Sequence, residues 1–196
     1  MVGILDLLDE IRILALNGLQ YTPDEHDRIR YQRLLELAAG GYEHALGVPA
    51  SDVLARLSSE LGHVTPKLGA EAAVIKGGRI LLVQRRDDGL FCLPCGWVEP
   101  HESPEETAVR EMREETGLEV RVASLVGVFR EPAGLTRAHP IVSVLYRCEV
   151  VGGRLAPSDE AKQVSYWDVD DVQGWHGHHE RLARAALEAA SRGGGV

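Results

Sequence analysis

A chain of 196 residues, 44% hydrophobic and 26% charged, has the length of one ordinary domain plus a small appendage, and enough apolar content to pack a core without disulfides. Its net charge of −9 argues against broad binding to a nucleic-acid backbone, which needs a basic face. A nucleotide stays open as a ligand, provided a metal ion bridges the two negative partners. No apolar run reaches membrane-spanning length, and three cysteines fit a reducing cytoplasm.

The first stretch, MVGILDLLDEIRILAL, is interrupted by Asp6, Asp9, Glu10 and Arg12. It reads as an amphipathic helix, not a signal peptide. Ile4, Leu7, Leu8, Ile11 and Leu14 recur at helical spacing, and Asn17-Gly18 is expected to end the pattern. Thr22, Pro23 and Glu25 form an expected capping box for a second helix. Ile29, Leu34, Leu35, Leu37 and Ala38 are its expected buried side, and Gly40-Gly41 is expected to weaken it. A third helix follows Val48-Pro49. Residues 1–62 thus read as a helical N-terminal domain, 63–69 as a linker and 70–192 as a second domain.

From Ala70 the texture changes. EAAVIKGGRILLVQRR carries two β-rich runs around Gly77-Gly78, a hairpin signal. FCLPCGW is short, apolar and stopped by Pro94. Further strands are expected at EVRVASLVGVF, IVSVLYRCEVVGG and QVSYWDV, with a last helix over about His179 to Ser191. Strands on either side of helices indicate an α/β class, a mixed sheet covered on both faces.

The segment GWVEPHESPEETAVREMREETGL, residues 96–118, holds seven glutamates and two arginines. Ser103, Pro104 and Glu106 predict a capped helix start, and Gly117 predicts its stop. On a helical wheel Glu111, Glu114 and Glu115 share one arc beside Ala108, Val109, Met112 and Thr116, which are expected to face the core. Like charges at such spacing repel, at roughly 0.2–0.5 kcal/mol a pair. Several carboxylate oxygens in one place suit a hard divalent cation. A solvated acidic face is the other reading of three glutamates taken alone.

The spacing of Gly96, Glu102, Arg110-Glu111, Glu114-Glu115 and Gly117-Leu118 matches the Nudix box at every fixed position, and the chain resembles the Nudix hydrolase family. The resemblance implies an α/β/α sandwich on a mixed sheet. It implies that Glu111, Glu114 and Glu115 hold Mg²⁺ or Mn²⁺, with Glu102 and Arg110 supporting the cluster. It also implies a metal contact from the backbone carbonyl of Cys95. GLQYTPDEHDRIRYQRL, TPK, LPCGW and LYRCEVVGG further resemble a subfamily with an N-terminal helical domain that hydrolyses nucleoside diphosphates linked to another group, of the CDP-choline or ADP-ribose type. Two positions depart from the family pattern: Cys95, where Gly is usual, and His101, also usually Gly.

Glu160, with Asp159 as second choice, is the candidate catalytic base. Trp97 and Phe129 are candidates to stack on the base of the nucleotide. Cys92-x-x-Cys95 lacks a second pair and reads as two small residues beside the box, not a zinc or redox site. The histidines of WHGHHE, 175–180, read as a solvated loop. A homodimer through residues 1–62 is expected from the stripe Leu7, Leu8, Ile11 and Leu14. The competing functions are hydrolysis of nucleoside triphosphates or RNA 5′ ends, and a nucleotide-binding module without turnover.

Overall fold

The computed structural model describes residues 3–58, 65–132 and 140–193. The chain divides into two compact units, one built on the N-terminal helices and one on the strands. No helix among the described residues is long and apolar enough to cross a membrane.

The helical unit contains α1 (Ile4–Tyr21), α2 (Glu25–Leu46) and α3 (Ala50–Ser58). Leu5, Leu8, Ala15, Leu35, Ala38, Tyr42 and Leu57 form its core. The inner face of α1 is therefore Leu5, Leu8, Asp9, Arg12 and Ala15. Ile4, Leu7 and Leu14, at 56%, 46% and 58% exposure, form the outer face. On α2, Leu35 and Ala38 are buried as expected, while Ile29, Leu34 and Leu37 point outward. The inner face of α1 admits charge because that charge is matched: Arg12 Nε donates to Asp9 Oδ1 at 2.6 Å and the Tyr42 hydroxyl donates to the same oxygen at 2.5 Å. A hydrophobic pattern reads this pair as a polar face.

The glycine expectations for these helices are also revised. α1 runs through Asn17-Gly18 to Tyr21, and α2 runs through Gly40-Gly41. A Cβ on Gly18 would stand 2.5 Å from the Tyr31 ring, and one on Gly41 would stand 2.4 Å from Leu8 Cδ2. These glycines let α1 and α2 pack closely and do not stop them. The N-cap of α2 is Asp24, whose side chain accepts from Asp27 N at 2.9 Å. Thr22 instead accepts from Asp24 N and its own backbone caps α1.

The second unit holds β1 (Lys67–Ala73), β2 (Ile75–Lys76), β3 (Arg79–Arg85), β4 (Phe91–Cys92), β5 (Cys95–Trp97), α4 (Pro104–Thr116), β6 (Leu118–Glu131), β7 (Ile141–Gly153), β8 (Ala161–Trp167), a 3₁₀ turn (Val169–Asp171) and α5 (His179–Gly193). β1 begins inside the segment expected as a linker, of which residues 63 and 64 lie outside the described residues. The strands form two four-stranded sheets, ordered β5-β1-β7-β6 and β2-β3-β4 with β8 on β3. Gly77 and Gly78, at φ 58° and 78°, make the tight β2–β3 turn that such a hairpin needs.

Alternation along β3 shows how the helices cover both faces. Ile80 and Leu82 join α5 residues Leu182, Ala183 and Ala186 in one core. Leu81 joins Ala108 and Met112 of α4 in the other. The result is an α/β arrangement, helix α4 on one side of β3 and α5 on the other, as expected, with a separate unit of N-terminal helices.

Candidate active site

The site is built on α4 and the loop before it. Ser103 caps the helix: its hydroxyl accepts from Glu106 N, and the Glu106 carboxylate accepts from Ser103 N at 2.8 Å. Such a cap contributes about 1 kcal/mol. Gly117 ends the helix in the left-handed conformation at φ 71°. Ala108, Met112 and Thr116 are buried, and Val109 packs beside them. With both ends and one face held, the remaining face of α4 presents its charged side chains in one register.

Arg110 organises that face. Its Nε and Nη2 donate to both oxygens of Glu102 at 2.7 and 3.0 Å, and its Nη1 donates to Glu111 at 2.7 Å and to Glu114 at 3.2 Å. Its Nη2 also reaches the Trp97 carbonyl at 3.4 Å. Three of the four carboxylates expected to hold a cation, Glu102, Glu111 and Glu114, thus meet at one guanidinium. Arg110 and the Thr107 hydroxyl together hold the Glu102 carboxyl down at about 2.

Glu115 stands differently. It accepts from Cys95 N at 3.1 Å. Burial pushes its carboxyl up to about 8, and the charges of Glu111 and Glu160 add to the rise. At pH 7 its ionised form lies roughly 1 kcal/mol above its protonated form, more than the helical repulsion between one pair of neighbouring carboxylates. Glu111 is also shifted upward by burial, with Arg110 opposing. One arginine among Glu102, Glu111, Glu114 and Glu115 leaves negative charge uncompensated.

The loop is shaped around these carboxylates. A Cβ on Gly96 would lie 1.8 Å from Glu111 Oε1. Only glycine lets the Glu111 carboxylate cross the strand there. Cys95 and Gly96 sit on β5, paired with Glu71 and Ala70 of β1. Donor set, deficit of positive charge and glycine cradle all fit a divalent cation. Glu102 also belongs to a second group, in which it and the exposed Glu99 and His101 bring their ligand atoms within 4.8 Å of one another. There His101, one of the two departures, lies 3.4 Å from Glu99.

Beside Glu115 opens a pocket of about 520 Å³ lined by Val83, Arg85, Arg86, Asp87, Ser158, Asp159 and Glu160. Glu160 ends the turn before β8, and its carbonyl accepts from Arg86 N at 2.8 Å. The pocket therefore joins Glu115 to the candidate base and adds two residues that pattern reading overlooked, Arg85 and Arg86. Their visible signal was a cationic pair closing an apolar strand. A larger groove of about 670 Å³ includes Lys76, Arg147, Glu149 and Tyr166 in its lining but gathers no cluster of carboxylates.

Of the two stacking candidates, Trp97 is 55% exposed and its carbonyl meets Arg110. Phe129 packs against the α5-side core, with the Arg181 guanidinium 5.4 Å from its ring centroid. The histidine loop is not solvated as expected. It is tied down by Phe91, whose N donates to Gly174 O and whose carbonyl accepts from His176 N. His176 meets Asp88 at 2.7 Å, His178 meets Ser143 at 3.1 Å and also Glu131, and His179 is buried. Cys92 is buried on β4, and neither it nor Cys95 belongs to a three-ligand group among the described residues.

Comparison with known proteins gives a consistent picture. A family model described as the NUDIX domain matches residues 66–186, and one described as a UDP-X-like, N-terminal oligomerisation domain matches residues 3–56. An ADP-ribose pyrophosphatase of Methanocaldococcus jannaschii is 34% identical over 125 residues, which is 62% of this chain and 73% of that protein. The crystal structure of an ADP-ribose pyrophosphatase from Streptococcus suis is 29% identical, with a TM-score of 0.56 over 64% of this chain and 92% of that one. The crystal structure of a UDP-X diphosphatase shares the fold over 97% of this chain and 94% of its own, at a TM-score of 0.61 and 22% identity.

Proposed function

The chain belongs to the Nudix family, and we propose that it is a Mg²⁺- or Mn²⁺-dependent pyrophosphohydrolase that splits a nucleoside diphosphate linked to another group. The products are a nucleoside monophosphate and a phosphorylated second product. The observation that carries this reading is the convergence of Glu102, Glu111 and Glu114 on Arg110, with Glu115 half-buried and lining a pocket that also holds Glu160.

In this reading Glu111, Glu114 and Glu115 are the carboxylate holders of the cation, with Glu102 and the Cys95 carbonyl in support. When bound, the cation neutralises pyrophosphate charge and activates water. Arg110 keeps three carboxylates aimed at one point through four bonds of 3.2 Å or less. Glu160, which lines the same pocket as Glu115, accepts the proton of the attacking water. Arg85, which is paired with Asp87, and Arg86 line that pocket and are its cations for the substrate's phosphates. Trp97, exposed on β5, offers its ring face to the base.

The helical unit serves pairing with a second copy. Its exposed residues Ile4, Leu7 and Leu14 on α1, with Ile29 and Leu37 on α2, are an apolar surface in a chain that is otherwise acidic. The match of residues 3–56 to a model described as an oligomerisation domain supports the same role.

Chromatography of products from CDP-choline, ADP-ribose and dGTP with Mg²⁺, at equal concentration, tests the reading. A linked diphosphate consumed fastest is the expected result, with CDP-choline slightly favoured over ADP-ribose by the resemblance of the N-terminal segment. Fastest consumption of dGTP, with release of inorganic pyrophosphate, would replace it by hydrolysis of triphosphates. No turnover of any of the three would favour a binding module.

A further inference from the structure

Cys95 departs from the usual glycine of its family, and its side chain has a partner. Cys95 Sγ lies 3.9 Å from His179 Nε2. The other ring nitrogen, Nδ1, accepts from Leu93 N at 3.3 Å. An accepting Nδ1 places the ring proton on Nε2, facing the sulfur. One imidazole therefore holds both ends of the turn Leu93-Pro94-Cys95.

That turn needs such a holder. Pro94 has no N–H and breaks the strand between β4 and β5. The Pro94 carbonyl is taken by Ala72 N at 3.0 Å, but Leu93 is fully buried and its N–H turns to a side chain. Without His179 this donor would be left unsatisfied in the core. His179 is fixed as the first residue of α5, is 5% exposed, and its ring is stacked on His178 at 5.4 Å between centroids. His178 is itself held by Ser143 at 3.1 Å. The far end of the turn is the Cys95 N–H that Glu115 accepts.

We infer that His179 is a positioning residue for the metal centre: from the opposite helix it clamps the Leu93–Cys95 turn, and through Cys95 it sets where Glu115 stands. The inference rests on the proposed function, since it assigns His179 a task only if Glu115 holds a cation. Ligands of a metal are commonly oriented by such outer partners, whose loss costs about 10–100-fold in affinity or activity.

The test is Mn²⁺ binding followed by electron paramagnetic resonance, alongside kcat and KM for the linked diphosphate, in wild type, His179→Ala, His179→Asn and Cys95→Gly. His179→Ala is expected to weaken Mn²⁺ binding about ten-fold and lower kcat while leaving KM for the nucleotide nearly unchanged. His179→Asn restores an acceptor for Leu93 N and is expected to recover most of the affinity. Cys95→Gly removes only the thiol contact, keeps every backbone group, and is expected to fall between the two. It carries the test if His179→Ala fails to fold. Equal Mn²⁺ affinity in wild type and all foldable variants would overturn the clamp while leaving the proposed function standing. Failure of wild type itself to bind Mn²⁺ would remove the proposed function and the clamp with it.

Discussion

In the helical unit Asp9 is buried, and its carboxylate meets the Arg12 guanidinium and the Tyr42 hydroxyl on one oxygen. In the sheet unit Glu115 is half-buried, and the direct partner of its carboxylate among the described bonds is the Cys95 N–H. The first carboxylate is answered inside the protein by a cation and a hydroxyl. The second is pushed up to about 8 by burial and by Glu111 and Glu160. A buried charge that the fold neutralises is architecture. One that the fold leaves in deficit, in the lining of a pocket, is a candidate for a functional site.

That contrast breaks most sharply under substitution. Glu115→Gln is expected to lower turnover roughly 100-fold or more, as removal of a metal ligand does more than removal of its supports, and to leave the metal-free fold as stable as wild type or more so. Asp9→Ala is expected to do the reverse. It removes the carboxylate that Arg12 and Tyr42 share in the core and should cost about 3–5 kcal/mol by urea unfolding, with kcat in the surviving folded fraction unchanged. An Asp9→Ala protein as stable as wild type, or a Glu115→Gln protein as active, would erase the distinction. Gly96→Ala belongs with the first class. Its Cβ would overlap Glu111 Oε1, so turnover should fall as far as in Glu111→Gln while circular dichroism stays native.

The same difference shows in metal and pH dependence. Mg²⁺ at millimolar concentration is expected to raise the melting temperature, since a ligand of the folded state alone stabilises by mass action, and EDTA should reverse the rise. For the metal-free protein the sign follows from Glu115. Its folded carboxyl titrates near 8 and its unfolded one near 4.5, so the folded state holds the extra proton between those values. Stability is fully present below about 4.5 and falls as pH rises through about 8. Glu71, raised by burial to about 7, adds to the same slope. Urea midpoints at pH 5 and pH 8.5 check it: the drop should be clear without metal and smaller with Mn²⁺ bound. A midpoint that rises with pH in EDTA would deny that these acids are uncompensated.

The smallest effect is expected at the outer face of α1. Leu7→Glu or Leu14→Glu should convert a dimer to a monomer in light scattering, with Mn²⁺ affinity unaltered. A wild-type monomer at micromolar concentration would remove the pairing role of the helical unit.

Much of this contrast was legible in the sequence, and the misses are instructive. Ser103, Pro104, Glu106 and Gly117 define α4 by local bonds alone, so its limits could be read residue by residue. Gly77-Gly78 acts through its own torsions in the same way. The inner face of α1 could not be read so. Asp9 and Arg12 are buried because Tyr42, 33 residues from Asp9, completes them, and a periodicity within one helix contains no such partner. Gly18 looked like a break and Gly41 like a weak point because the Tyr31 ring and Leu8 that need the space lie on the facing helix. The glutamate arc was visible on a wheel. The sorting within it was not: Arg110 taking Glu102, Glu111 and Glu114, and Glu115 turning to Cys95, depends on a loop folded over the helix. His179 looked solvated for the same reason, since Leu93 and Cys95 are its neighbours only in space.

In the proposed function, the four carboxylates around Arg110 and Cys95 form a cation site whose charge deficit is met by a divalent metal. Calorimetric titration of Mn²⁺ into the metal-free protein, wild type against Glu115→Gln, addresses it most directly. The expected result is saturable binding to wild type, weakened at least about ten-fold by the substitution, with proton release at pH 7 that is lost along with Glu115. Binding of equal strength in both proteins, or none in wild type, would contradict it.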